Sequence, residues 1–175
     1  MNIIFRSPGE LIASMRRDLS RPHAFAAERV GFITVRATAA NDTLMLLAQD
    51  YHGVADDDYV PDRSVGAMIG QEALRKALEI ALLNNVGVFH VHMHEFPGRL
   101  WFSRIDLHEQ LRFVPDFFKV RRKMPHGALV LSPRAAAGRV WLSPERAERI
   151  AEFNIVGKRL HVFHSAEDGS VDFYG

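Results

Sequence analysis

The chain has 175 residues, 47% of them hydrophobic and 25% charged, with a formal net charge of +1. That length and balance fit one domain able to bury a core unaided, and they exclude a disordered or collagen-like class. The absence of cysteine removes cysteine-protease chemistry, disulfide scaffolding and thiolate zinc sites together, so hydrolytic chemistry must use His, Asp, Glu, Ser or a metal-activated water.

Taken in chain order, Leu11, Ile12, Met15 and Leu19 recur at helical spacing, so a first helix is expected over Glu10 to Leu19, led in by Pro8-Gly9. Two strands follow over Arg29 to Val35 and Thr43 to Asp50, joined by the turn-forming Ala40-Asn41-Asp42. Val54 to Ser64, with its run Asp56-Asp57-Asp58 and Pro61, reads as a loop. The acidic run lacks the rest of a calcium loop and is expected to be a solvated turn. Gly70 to Asn85 places Ala73, Leu74, Ala77, Leu78, Ala81 and Leu82 on one helical face, with Asn84-Asn85 and Gly87 ending it.

Val88 to His94 then alternates strictly: Phe89, Val91 and Met93 point one way, His90, His92 and His94 the other. A Pro-Gly loop, Glu95 to Phe102, leads to Ser103-Arg104-Ile105-Asp106, the pattern of a helix start with Ser103 as N-cap, running to about Phe117. Ala128 to Ser132 and Arg139 to Leu142 suggest a second hairpin. Ser143-Pro144 suggests a short helix through Phe153, and Arg159 to His164 a final strand. Helices interleaved with mainly antiparallel strands predict an α/β sandwich, one sheet flanked by helices, as a single domain over residues 1–175.

Residues two apart on a strand share a face with Cα atoms about 7 Å apart, so His92 and His94 can converge on one ion. Asp106 at the next helix start can add a carboxylate. Three protein ligands leave zinc one open position, where the pKa of water falls to about 7. A general base is then required, and Glu28, just before a predicted strand with Gly31 close by, is the candidate; Ser103 is placed to support an oxyanion. His90 shares the histidine face and is expected to be a hydrogen-bonded core or supporting residue. His23, His52, His108, His126, His161 and His164 show no ligand spacing.

The order Glu-x-x-Gly, His-x-His, Ser-x-x-Asp, carried here by Glu28, His92, His94, Ser103 and Asp106, resembles the motif of the JAB/MPN (JAMM) metallopeptidases. Met93 stands between the histidines where that family usually has Ser or Thr, Pro97 is displaced from its usual place after the second His, and eleven residues separate His94 from Asp106, one more than is common. The resemblance implies an MPN-like sandwich, Zn2+ held by His92, His94 and Asp106, Glu28 as acid and base, and Ser103 at the oxyanion. It implies cleavage after the C-terminal tail of a ubiquitin-like protein or its conjugates. The chain is similar to compact bacterial JAB proteins that accompany E1-like and E2-like partners, some in antiphage defence. Alternatives are a peptidase that processes a sulfur-carrier protein and a non-catalytic MPN scaffold.

Only Lys119 to Lys123, KVRRK, is a concentrated basic run, so no nucleic-acid partner is expected. No apolar stretch of roughly eighteen residues occurs, which predicts no membrane partner and a cytoplasmic location.

Overall fold

The computed structural model describes residues 1–22, 26–62, 65–95 and 100–173. His23, the end of the Val54 to Ser64 loop, and residues 96–99 of the Pro-Gly loop lie outside those residues. One sheet carries all the described strands.

Strand β1 (Asn2–Pro8) opens the chain and was not anticipated. It has only Ile3, Phe5 and Ser7 on its buried face, too short an alternation to separate from a helix lead-in by periodicity. Helix α1 (Gly9–Leu19) buries Ile12, Met15 and Leu19 as expected. Strands β2 (Val30–Ala40) and β3 (Thr43–Gly53) form the antiparallel hairpin, with Asn41 in the left-handed region at φ 53°. Asparagine tolerates that conformation because its short polar side chain bonds locally.

Helix α2 (Gln71–Asn84) ends at Asn85, again left-handed at φ 53°. It buries Ala73, Ala77 and Ala81, while Leu82 is exposed, so its packed stripe is narrower than the expected one. Strand β4 (Gly87–Met93) begins where a Cβ at Gly87 would run into the Pro125 carbonyl. Helix α3 (Arg104–Val120) starts at the Ser103 cap and runs one turn past the expected end. Strands β5 (His126–Leu131) and β6 (Ala135–Ser143) make the second hairpin.

The short helix expected from Ser143-Pro144 through Phe153 is not formed. A tight turn leads instead into β7 (Arg146–Arg149), paired back on β6, and then β8 (Glu152–Val156), parallel to β1. The reason is tertiary: Ile150 and Phe153 are both wholly buried in the main core, and the pairing with β6 and β1 satisfies the backbone that a helix would have satisfied internally. Strand β9 (Leu160–His164) occurs as expected, and β10 (Ser170–Asp172) closes the chain. The strand order is β10-β6-β5-β4-β2-β3-β1-β8-β9; Phe173, just after β10, packs on Phe163 of β9 at 5.0 Å between ring centroids, so the two ends of that order approach each other and the sheet is curled.

The β1–β3, β1–β8 and β4–β5 pairings are parallel and the others antiparallel. The α/β class and the mainly antiparallel sheet flanked by helices are therefore present. One face of the sheet holds the main core with α1, including Phe5, Phe89, Leu129, Leu131 and Phe153. On the other face lie α2 and α3, over Phe32, Val88, Ala128, Val130 and Trp141. Because β4 alternates, Phe89, Val91 and Met93 enter the first core while its histidines turn toward α3. None of the described helices is long and apolar enough to cross a membrane.

His126 shows how this second layer is locked. It stacks on Phe117 at 5.3 Å and meets Phe118 edge-on at 4.8 Å. Its Nδ1 accepts from the Val88 N–H at 3.1 Å, so Nε2 carries the proton toward the Arg121 carbonyl, also at 3.1 Å. Burial pushes its pKa from 6.5 down to about 4, against the pull of the Arg121 carbonyl. An unfolded chain protonates this ring below pH 6.5 while the folded one does not, so stability is full above that pH and falls as the pH drops toward 4. The linked loss is about 3 kcal/mol when both states are protonated. At pH 5 the His126 ring resonances should still report the neutral tautomer with the proton on Nε2, and the melting temperature should already be lower than at pH 7.

Candidate metal centre

The register of the sheet assembles the centre. Val30 of β2 pairs with His92 of β4 in antiparallel sense, and continuing that register two residues outward sets Glu28 across from His94. Glu28 is fixed there by two contacts. Its N–H donates to the Gly66 carbonyl at 2.8 Å, and Gly66 passes so near the carboxylate that a Cβ there would lie 2.7 Å from Oε2. The buried Arg29 anchors the adjoining backbone, donating to Asp56 at 2.7 Å and to the carbonyls of Arg21 and Pro22 at 3.0 Å. The acidic turn Asp56 to Asp58 is thereby used for ion pairs, with Lys76 on Asp58 at 2.7 Å.

His94 lies just past the end of β4, its N–H donating to the Leu131 carbonyl at 2.9 Å. The Nε2 atoms of His92 and His94 are 3.1 Å apart. Asp106 Oδ2 is 3.5 Å from the first and 3.7 Å from the second. Glu28 Oε1 is 3.9 Å from His94 Nε2, and the ligand atoms of Glu28, His92 and His94 all lie within 4.8 Å of one another. Asp106 is aimed by the capping box of α3: its carboxylate accepts from Ser103 N–H at 2.7 Å while the Ser103 hydroxyl accepts from Asp106 N–H at 3.1 Å.

These separations suit a tetrahedral ion. Ligand bonds of about 2.0–2.1 Å place two donor atoms about 3.3 Å apart along a tetrahedral edge, close to the 3.1, 3.5 and 3.7 Å among His92, His94 and Asp106. The protonation states fit as well. Burial opposes ionisation of Asp106, but the His92 imidazole and the Ser103 hydrogen bonds outweigh it and hold the carboxyl well below its usual range. Burial, reinforced by His92, holds His94 down and leaves its lone pair free. Glu28 moves the other way: burial raises it, and Asp106 adds to the rise against the pull of His92.

Each of the five sequence-expected residues is thus at or beside one centre, with Ser103 joined to it through Asp106. Gly31 is not near it in the sense expected. A Cβ at Gly31 would strike the Tyr51 ring, so this glycine makes room for Tyr51, whose hydroxyl donates to Asp18 at 2.6 Å. Gly66 performs the close approach to Glu28, and nothing in its local sequence signals that. Beneath the centre His90 packs among Phe32, Phe113 and His92 at 5.7, 5.1 and 5.6 Å. Burial, then the neighbouring His92 ring, pushes its pKa down to about 3, so it is a neutral supporting ring. Gln110, one turn after Asp106 on α3, is also buried, and its amide atoms and His92 Nδ1 have no hydrogen-bond partner among the described residues. The basic run is structural in part: Arg121 donates to the Ala81 and Leu82 carbonyls at the end of α2, and Lys119 pairs with Asp116.

No protein-family model and no curated protein matches this chain. Among solved structures, it is similar to the Trichoplax adhaerens STIL N-terminal domain at 9% identity and a TM-score of 0.37, over 75% of this chain and 39% of that one. The chain therefore spans well under half the length of that relative, and a likeness this low carries no argument about its role.

Proposed function

We propose that this chain is a zinc-dependent peptidase of the JAMM kind, built on an MPN-like sandwich, that hydrolyses the peptide or isopeptide bond following the C-terminal tail of a ubiquitin-like protein. The observation that carries the reading is the meeting of Glu28, His92, His94 and Asp106 from three separate segments, with separations of 3.1 to 3.9 Å.

In this reading His92, His94 and Asp106 hold the ion and Glu28 is the acid and base. Zinc, when bound, acidifies a water and polarises the scissile carbonyl. Glu28 stands across from His94, free to take the proton from the attacking water, and its raised pKa lets it return that proton to the leaving amine. Asp106 stays ionised throughout. The Ser103 hydroxyl oxygen is engaged with Asp106 N–H, which leaves its own hydrogen to donate to the developing oxyanion. His90 and Phe102 pack on the His92 ring and exclude water from its buried side. The partners that suit this activity are a ubiquitin-like protein, its conjugates and the E1-like and E2-like enzymes that make them, in the cytoplasm.

The test is cleavage of fusions that place a reporter after the tail of candidate ubiquitin-like and sulfur-carrier proteins. Zinc-loaded protein should release the reporter and chelator-treated protein should not. If no fusion is cleaved by zinc-loaded protein, the reading as a peptidase of this substrate class fails and a scaffold role takes its place.

A further inference from the structure

On the other side of α3 from the histidines is a cleft of about 550 Å³ lined by Trp101, Leu107, Arg139, Ala147, Glu148 and Arg149. Two arginines dominate it. Arg139 of β6 and Arg149 of β7 are directly opposite across the antiparallel pair, an arrangement in which like charges repel at close range. Neither forms an ion pair with a carboxylate among the described residues. Glu148, the acid in the cleft, is paired instead with Arg146 at 3.0 Å, and Arg149 reaches only the Glu167 carbonyl at 3.1 Å. Arg139 feels the unrelieved charge: burial, then Arg149, holds it below its ordinary pKa.

Both guanidinium groups lie over the two tryptophans of the chain. Arg139 lies over Trp141 at 4.7 Å and Arg149 over Trp101 at 5.0 Å. A guanidinium over an indole face is attracted by the ring and keeps N–H groups that can still donate to a carboxylate. Trp101-Phe102 also joins the cleft to the metal centre, because Phe102 packs on the His92 ring while Trp101 covers Arg149. On the sheet, His92 aligns with Val130 and Val130 with Ala137, and Arg139 is two residues further along β6. Strand spacing and rise make that about 12 Å from His92 to Arg139.

We infer that Arg139 and Arg149, with Trp101 and Leu107 as apolar walls, form a subsite for an acidic side chain of a peptide. The apolar walls take the methylene stem and the paired guanidinium groups take the carboxylate, which relieves their mutual repulsion. Resting on the peptidase reading for its placement, the subsite receives a residue three or four positions from the scissile bond, since an extended chain advances about 3.3 Å per residue.

Binding is separable from hydrolysis and is read from the two tryptophans that the arginines cover. The full-length protein, with and without zinc, is titrated with a capped five-residue peptide bearing one central glutamate among alanines, with its glutamine counterpart, and with inorganic phosphate. The glutamate peptide should change the tryptophan emission and bind at least tenfold more tightly than the glutamine peptide, with and without zinc. Arg149→Gln, at an exposed position, should weaken it at least tenfold, and Arg139→Lys, which keeps charge but loses the planar fork, at least threefold. Equal binding of the two peptides, or glutamate binding unchanged in Arg149→Gln, overturns the inference. Tighter binding of phosphate than of the glutamate peptide also overturns it, in favour of a free inorganic anion. A protein that binds the peptide yet cleaves no fusion would disprove the peptidase reading while leaving the subsite in place.

Discussion

Asp106→Ala is expected to abolish stoichiometric zinc binding, whereas Glu28→Gln should retain one zinc and lose about 10²–10⁴-fold in cleavage rate, the range removed with a positioned general base. Either carboxylate is chemically able to ligate zinc, so the geometry must choose between them. Asp106 Oδ2 is 3.5 and 3.7 Å from the two Nε2 atoms and is fixed by Ser103, while Glu28 Oε1 is 3.9 Å from one of them. Their proton affinities diverge in the same sense, since Asp106 is held down as a ligand needs and Glu28 is raised as a base needs. Elemental analysis of the two variants beside a single-turnover cleavage assay checks the assignment. Zinc lost from Glu28→Gln and kept by Asp106→Ala would exchange the two roles.

Zinc at a thousand times its dissociation constant should stabilise the fold by about 4 kcal/mol, because the ion binds the assembled centre and not the unfolded chain. For a domain of this size each kcal/mol is worth roughly 2–4 °C, so the melting temperature should rise by roughly 8–16 °C. The centre is built from residues far apart in sequence, at 28, 92, 94 and 106, so unfolding disperses the ligands and forfeits the binding energy. His92→Ala should abolish the rise, and the comparison is made by calorimetry at fixed zinc. A melting temperature indifferent to zinc in the native sequence would mean that these side chains do not hold the ion.

The local sequence carried a good part of this. The alternation of β4 placed three histidines on one face because a strand has a period of two residues. The Ser103 to Asp106 spacing wrote its own cap, since a side-chain oxygen three residues before a carboxylate can satisfy the free N–H groups of a helix start. Asn41 and Asn85 marked the hairpin and the end of α2 through the left-handed conformation that asparagine accepts. The absence of cysteine removes thiolate from the metal donors available to any fold of this chain.

Other features were decided only by partners distant along the chain. Whether 143–153 became helix or strands depended on β6 and β1 being there to pair with it and on a core that needed Ile150 and Phe153; a short mixed segment has no period of its own that settles the matter. The seven residues of β1 likewise became a strand because β3 and β8 flank them. Glu28 was a charge before a strand until the β2–β4 register set it across from His94 and Gly66 closed against it. The facing of Arg139 by Arg149, like every cross-strand pair, exists only once the register is fixed. The sequence by itself determined which side chains each element presents, because dihedral preference and side-chain period are local; the tertiary structure alone decided which of those side chains meet, because register and packing are properties of the whole sheet.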